Sequence, residues 1–309
     1  MRYRVTHSTE YEYPEPVVLS YNVVRMQPRH HAAQSCLQFE LDIEPEPASA
    51  TERLDYFGNH THCFCLQESH RRLAVLAKSE VRVPPRGPVY FVQQGAWERV
   101  RDTLHAPRDR DTIAAREFTF DSAYVFRSDE LAVYALPSFA KGRPFLECVL
   151  DLTERIHREF EFLPGSTGVG TPSHEVLRSR RGVCQDFAHL QIGCLRSLGL
   201  AARYVSGYLV TTPPPSQRRL KGADVSHAWV SVFVPGLGWV DFDPTNGLMP
   251  SDGHITVAWA RDYDEVGPSR GIVVGGKDQR LHVSVDVMPL VEDSAAADGD
   301  ADPSAAPMS

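Results

Sequence analysis

The first ninety residues alternate apolar and polar side chains with a period of two. Tyr3, Val5, His7 and Thr9 face one way and their polar neighbours the other, until Tyr11 and Tyr13 meet a break at Pro14 and Pro16. Alternation resumes over 36–43 and stops at Glu-Pro-Glu-Pro; 54–59 (Leu-Asp-Tyr-Phe-Gly-Asn) then leads a strand into a Gly-Asn turn and a further strand over 61–66. A last alternating stretch, 73–83, closes on Pro84-Pro85. Successive strand side chains point to opposite faces, so this pattern predicts several short strands in an antiparallel sheet or sandwich.

The period then changes. Residues 105–140 are punctuated by proline and charge and predict no regular element. From Phe145 to Phe162, Val149, Leu152, Ile156 and Phe160 recur at spacings of three and four, one face of a helix. After a Gly-Ser-Thr-Gly-Val-Gly loop, Thr171 or Ser173 can cap a short helix through Leu177. A second strong helix is expected over 184–198, burying Phe187, Leu190, Cys194 and Leu198 and stopping at Gly199. Strands follow at 202–210, at 227–234 and 239–243 (a hairpin around Pro235-Gly-Leu-Gly238), and at 255–259 and 281–287. The tail from Glu292 is Ala, Asp, Ser and Pro with no apolar face to bury, and is expected to be disordered. The expected division is an N-terminal β-sandwich-like domain (1–105), a connection (106–140), an α+β core with C-terminal strands (141–290) and a tail (291–309).

Composition narrows the class of function. An apolar fraction of 42% with 23% charged residues is that of a globular domain, and a net charge of −8 argues against nucleic acid or an anionic membrane as partner. No run has the length of a membrane span or the pattern of a secretory leader, so the expected compartment is the cytoplasm. The six cysteines (36, 63, 65, 148, 184, 194) form no small-scaffold disulfide framework, which fits that compartment. His60, His62, Cys63, Cys65 and His70 cluster, but on a strand Cys63 and Cys65 face away from His60 and His62. One face then offers two ligands at most, short of a zinc set, so strand filling is expected and no metal or cofactor.

Cys184 changes the picture. It sits in Arg-Arg-Gly-Val-Cys-Gln-Asp-Phe-Ala-His, where a glycine turn enters the second helix. A thiol in the first turn feels the positive end of the helix dipole, which favours thiolate. Ser-His-Ala-Trp follows at His227 and Phe-Asp-Pro-Thr-Asn at Asp243, which supplies nucleophile, base and orienting carboxylate in that order. Cys194, mid-helix on the apolar stripe, is the internal control expected to be structural. The hairpin makes a geometric demand: a two-residue turn would put Asp243 on the face opposite His227, whereas an odd loop brings the two together. Asp241 shares the face of Asp243, but Asp243 lies nearer the His227 end.

Three segments, Gly-Val-Cys-Gln-Asp-Phe-Ala-His, Ser-His-Ala-Trp-Val-Ser-Val-Phe-Val-Pro-Gly-Leu-Gly-Trp and Asp-Phe-Asp-Pro-Thr-Asn, resemble the core of the bacterial transglutaminase-like superfamily. Asp55-Tyr-Phe-Gly-Asn resembles its N-terminal β region, and Ile255-Thr-Val-Ala-Trp-Ala-Arg-Asp-Tyr and Gln279-Arg-Leu-His-Val-Ser-Val its C-terminal segment. The resemblance implies an α+β fold, an N-terminal antiparallel β domain followed by a papain-like, transglutaminase-like core. In that core the nucleophile starts a helix packed on an antiparallel sheet, with Cys184, His227 and Asp243 as triad. Animal transglutaminases carry Gln-Cys-Trp and bind calcium; here Val precedes Cys184, Gln follows it, and no Asp-x-Asp-x-Asp-Gly loop occurs. Calcium-dependent crosslinking is therefore not implied.

The expected chemistry is attack of Cys184 on the carbonyl of a peptide, isopeptide or other amide bond, with His227 protonating the leaving amine. The Cys184 backbone N–H is one oxyanion donor, and Gln185 is a weak candidate for a second. Asp186 can bond near the site or simply suit the helix dipole. Trp229 and Trp239 can wall an acceptor channel or be sheet packing. Arg218, Arg219 and Lys221 can meet a carboxylate or be a solvated loop. The expected partner is a peptide or protein with an amide or glutamine-like acyl donor. Amine acyl transfer is the enzymatic alternative, and a silent binding module the alternative of another class.

Overall fold

The computed structural model describes residues 1–85, 95–210 and 226–290. Strand β1 (Arg2–Val24) runs 23 residues without a break. Along residues 2–12 it pairs with β5 (His70–Arg82) on one side and β13 (Arg280–Leu290) on the other. Along 17–24 its partners are β4 (His60–Leu66) and β12 (Ser269–Gly275). Pro14 and Pro16 fall at this changeover, where the β1–β5 register shifts between Glu12 and Val17. Proline has no N–H to give a ladder, so it is tolerated where pairing pauses. The prolines mark an exchange of partners, not the strand end their sequence suggests.

β2 (Ser35–Glu44) extends the sheet beyond β5, and β3 (Ser49–Leu54) extends it beyond β4. The result is one curled antiparallel sheet, one of the two arrangements the alternation allows. Its last two strands come from the C-terminal end of the chain. β13, expected with the core, and β12, which the alternation does not predict, both belong to the N-terminal sheet because β1 offers them its open edges.

The expected connection is largely helical. It contains α2 (Arg110–Arg116), α3 (Asp129–Ala135) and short 3-10 turns at 117–119 and 136–138, preceded by α1 (Trp97–His105). Asp109 and Ser128 cap α2 and α3 by accepting from the N–H groups of Thr112 and Leu131.

The core follows: α4 (Phe145–Glu159), a short parallel pair of β6 (Glu161–Phe162) and β7 (Arg181–Gly182), α5 (Ser173–Ser179) and α6 (Cys184–Ser197). α5 starts after Pro172, and neither Thr171 nor Ser173 caps it: Thr171 Oγ1 accepts instead from Gly168 N–H. Then come β8 (Ala202–Leu209), β9 (Ser226–Val234), β10 (Gly238–Phe242), β11 (His254–Ala260) and α7 (Tyr263–Val266), with sheet order β10-β9-β8-β11. α6 is enclosed, with Phe187, Leu190 and Cys194 all at 1% exposure or less. One hydrophobic cluster joins this core to Tyr3, Val5, Val81, Val285 and Val287 of the curled sheet. The free edge of β11 is taken up by that sheet's loops: Gln34 bonds Thr256 N–H and C=O, and Asn59 bonds Trp259 N–H and C=O.

Candidate active site

Gly182 turns the chain into α6, and Val183 is its N-cap, a residue with no side-chain acceptor. Asp186 compensates from inside the helix: its Oδ2 accepts the Val183 N–H at 2.7 Å and the Thr167 hydroxyl at 2.6 Å. Burial raises the Asp186 pKa against these hydrogen bonds. A Cβ on Gly182 would sit 2.8 Å from Asp186 Cβ, so only glycine permits this turn. Cys184 is the first helical residue, half-buried, and its thiol lies near enough to the His227 imidazole to help raise that group's pKa. Its backbone N–H belongs to the first turn, whose donors no helical carbonyl takes.

The hairpin has the odd loop that contact between His227 and Asp243 requires. Val234 pairs with Gly238, leaving Pro235, Gly236 and Leu237 as a three-residue loop. Asp243 then lies diagonal to His227, and His227 Nε2 donates to Asp243 Oδ2 at 2.8 Å. Asp241 pairs with Ser231 further up the hairpin, and its charge faces Arg203.

Asp243 is fully buried and richly solvated by protein. Its Oδ1 accepts from the N–H groups of Thr245 and Asn246, the local turn that Asp-Pro-Thr-Asn encodes. Its Oδ2 accepts from His227, from Asn246 Nδ2 at 2.7 Å and from His254 Nε2 at 3.0 Å. Burial alone would raise its pKa; the hydrogen bonds from His227 and His254 win and hold it well below the ordinary carboxylate range. For His227 burial pulls down, but the Asp243 hydrogen bond and the nearby Cys184 thiol outweigh it and hold the imidazole up to about 10.

His227, Asp243 and His254 are of metal-ligating type and lie close together. Their 2.8 and 3.0 Å separations are hydrogen-bond distances. A tetrahedral zinc with bonds near 2.05 Å would spread its ligands about 3.3 Å apart.

The other expected residues fall elsewhere. Gln185 Nε2 donates to Val169 C=O at 2.8 Å, which spends the amide on the 163–172 loop. Trp229 has no exposure, so it lines no open channel; it packs edge-to-face on His254 and tilted on His227. Trp239 packs on Phe118, Phe233 and Arg203. Cys194 is fully buried and its thiol pushed up to about 12 by desolvation. His60, His62 and His70 bond separately to Glu52, Gln27 and the Glu68 carbonyl. Arg218, Arg219, Lys221 and the tail lie outside the described residues.

His254 was missed by the sequence reading. Its only local signal is a histidine at the mouth of an apolar strand, and its partner is supplied by strand pairing.

Residues 3–82 match the bacterial transglutaminase-like N-terminal region, and residues 137–244 match the transglutaminase-like superfamily. An uncharacterized protein of Mycobacterium tuberculosis is 41% identical over 304 residues, covering 96% of this chain and 95% of that protein. The chain belongs to the transglutaminase-like superfamily. A protein-glutamine gamma-glutamyltransferase of Pseudomonas aeruginosa is 30% identical over 106 residues, 33% of this chain and 16% of that enzyme. The solved structure of a candidate cysteine protease from Cytophaga hutchinsonii superposes with a TM-score of 0.72 at 21% identity, over 94% of this chain and 92% of that one. That likeness is one of fold: an N-terminal curled sheet and a papain-like core. Among the described residues no helix is long and apolar enough to cross a membrane.

Proposed function

We propose that this member of the superfamily is a thiol enzyme that cleaves a peptide, isopeptide or other amide bond through a Cys184 acyl-enzyme. The observation that carries the reading is the His227–Asp243 hydrogen bond at 2.8 Å, with Cys184 at the start of α6 beside that imidazole. With its proton already passed to His227, the Cys184 sulfur attacks the amide carbonyl. The Cys184 backbone N–H donates to the developing oxyanion. His227, oriented by Asp243, returns the proton to the leaving amine, and the thioester remains. Water then gives a proton to the now neutral His227 and attacks the thioester carbonyl, expelling the thiolate and releasing the acid.

An amine in place of water would give acyl transfer, the reading favoured by partial likeness to a gamma-glutamyltransferase. The substrate is a peptide or protein, and six free thiols support action in the cytoplasm, a reducing compartment. Mass spectrometry of a peptide library incubated with the protein, with and without a primary amine, tests the assignment. Hydrolysis unaffected by amine is expected, as is its loss in Cys184→Ala and its survival in Cys194→Ala. Amine-adducted products would establish transfer instead, and turnover by Cys184→Ala would refute the nucleophile.

A further inference from the structure

A fourth titratable side chain touches the carboxylate of the proposed triad. His254 opens β11 and is 3% exposed, and its Nε2 reaches the same Oδ2 of Asp243 that His227 uses. The two histidines stand on strands separated by β8, with rings 6.0 Å apart. Trp229 holds both: it lies 5.3 Å from His254 at 86° and 6.1 Å from His227. Gly207 of β8 makes this possible, since a Cβ there would come within 2.5 Å of the Trp229 ring and 2.2 Å of Ile255 C=O.

The donor inventory separates two roles for His254. Asp243 Oδ1 is already anchored by the backbone N–H groups of Thr245 and Asn246, so the carboxylate keeps its orientation without His254. What His254 adds is a donor on the oxygen that faces His227. A carboxylate with one donor fewer is a stronger base and grips a neighbouring imidazolium proton harder. A general acid that grips too hard is slow to release its proton to a leaving group.

Resting on the triad reading above, we propose that His254 is a positioning residue. By sharing Oδ2 it limits how strongly Asp243, through the His227 Nε2–H, raises the basicity of that ring, so the proton on the other ring nitrogen stays transferable to the leaving amine. Donation from His254 puts the proton on Nε2, and its buried Nδ1 has no hydrogen-bond partner among the described residues. The titratable groups facing this cluster are Cys184 from α6, His227 from β9 and His157 from α4, whose Nδ1 bonds Thr245 C=O at 2.8 Å.

The test needs no substrate. In the full chain, alkylation of Cys184 by anionic iodoacetate, followed by peptide mapping across pH, slows as the neighbouring imidazolium loses its proton. That alkaline limb reports His227. His254→Phe is expected to move it upward by about one pH unit, and His254→Gln, which retains an amide donor, to restore it. A folded His254→Phe protein whose limb stays in place, or moves down, overturns the proposal. Should that variant fail to fold, long-range 1H–15N spectra of histidine-labelled wild type decide: a proton on His254 Nε2 is required, and one on Nδ1 refutes the role. Failure of the triad itself looks different. Wild-type Cys184 would then show no alkaline limb, and Asp243→Asn would change nothing, removing both readings.

Discussion

His227 carries opposite demands. Burial disfavours its charge, yet its bond to Asp243 and the neighbouring Cys184 thiol hold its pKa up to about 10, above the unfolded value near 6.5. A raised folded value stabilises the protein fully below pH 6.5, and the contribution is lost as pH rises through about 10. Asp243→Ala removes the partner and leaves a buried imidazole beside four unclaimed donors, at a cost of about 3 kcal/mol near neutrality. Denaturant unfolding should show that difference at pH 7 and see it shrink above pH 10. A difference that grows with alkalinity would contradict the ion pair. The three residues were legible because each sits in a local motif: a glycine before a helix, a histidine opening a strand, Asp-Pro-Thr-Asn closing one. His254 was not, since nothing within ten residues of it says which carboxylate three-dimensional pairing will deliver. The fate of Gln185 was equally hidden, because the Val169 carbonyl that takes its amide belongs to a loop without pattern.

At the scale of elements, the entry to α6 is tied down by the buried Asp186. Asp186 both caps the Val183 N–H and ties down Thr167, so the loop at 163–172 and the helix start are fixed by one carboxylate. Asp186→Ala should lower stability by about 1–2 kcal/mol, as loss of a helix N-terminal acceptor does. It should also slow Cys184 alkylation relative to wild type at the same pH. A melting temperature unchanged in this variant would show that the cap is dispensable. Period-based reading succeeded for α4, α6 and the hairpin, long segments with one buried face. It failed for α1, α2 and α3, which are seven to nine residues long and offer barely two turns of pattern. β12 escaped for another reason: Ser-Arg-Gly-Ile-Val-Val-Gly is exposed along most of its length and so has no alternation to display.

Across the whole molecule, the curled sheet and the core meet at a buried histidine as well as in the shared apolar cluster. His7 of β1 bonds Tyr208 of β8 through Nδ1 at 2.9 Å, and burial lowers its pKa to about 4. A lowered histidine stabilises fully above its unfolded value near 6.5, and that stability is lost as pH falls through about 4. The loss reaches about 3 kcal/mol by pH 4. Comparing wild type with His7→Gln in denaturant at pH 7 and pH 4 should find a shallower acid decline in the variant. Equal slopes would mean that His7 does not titrate on unfolding. The sheet's composition was readable strand by strand, but not that its closing strands arrive from the far end of the chain. Such pairing is a long-range choice that alternation cannot encode.

That closure has a consequence in time. Arg2 pairs with Leu290, and β1 has β13 along its whole first half. On a ribosome adding about 5–20 residues per second, the partner for that edge is made roughly 15 to 50 seconds after β1 itself. For that interval the nascent chain presents an unpaired strand edge eleven residues long, carrying Tyr3, Val5 and Tyr11. The last of the described strands is thus the one that seals the first.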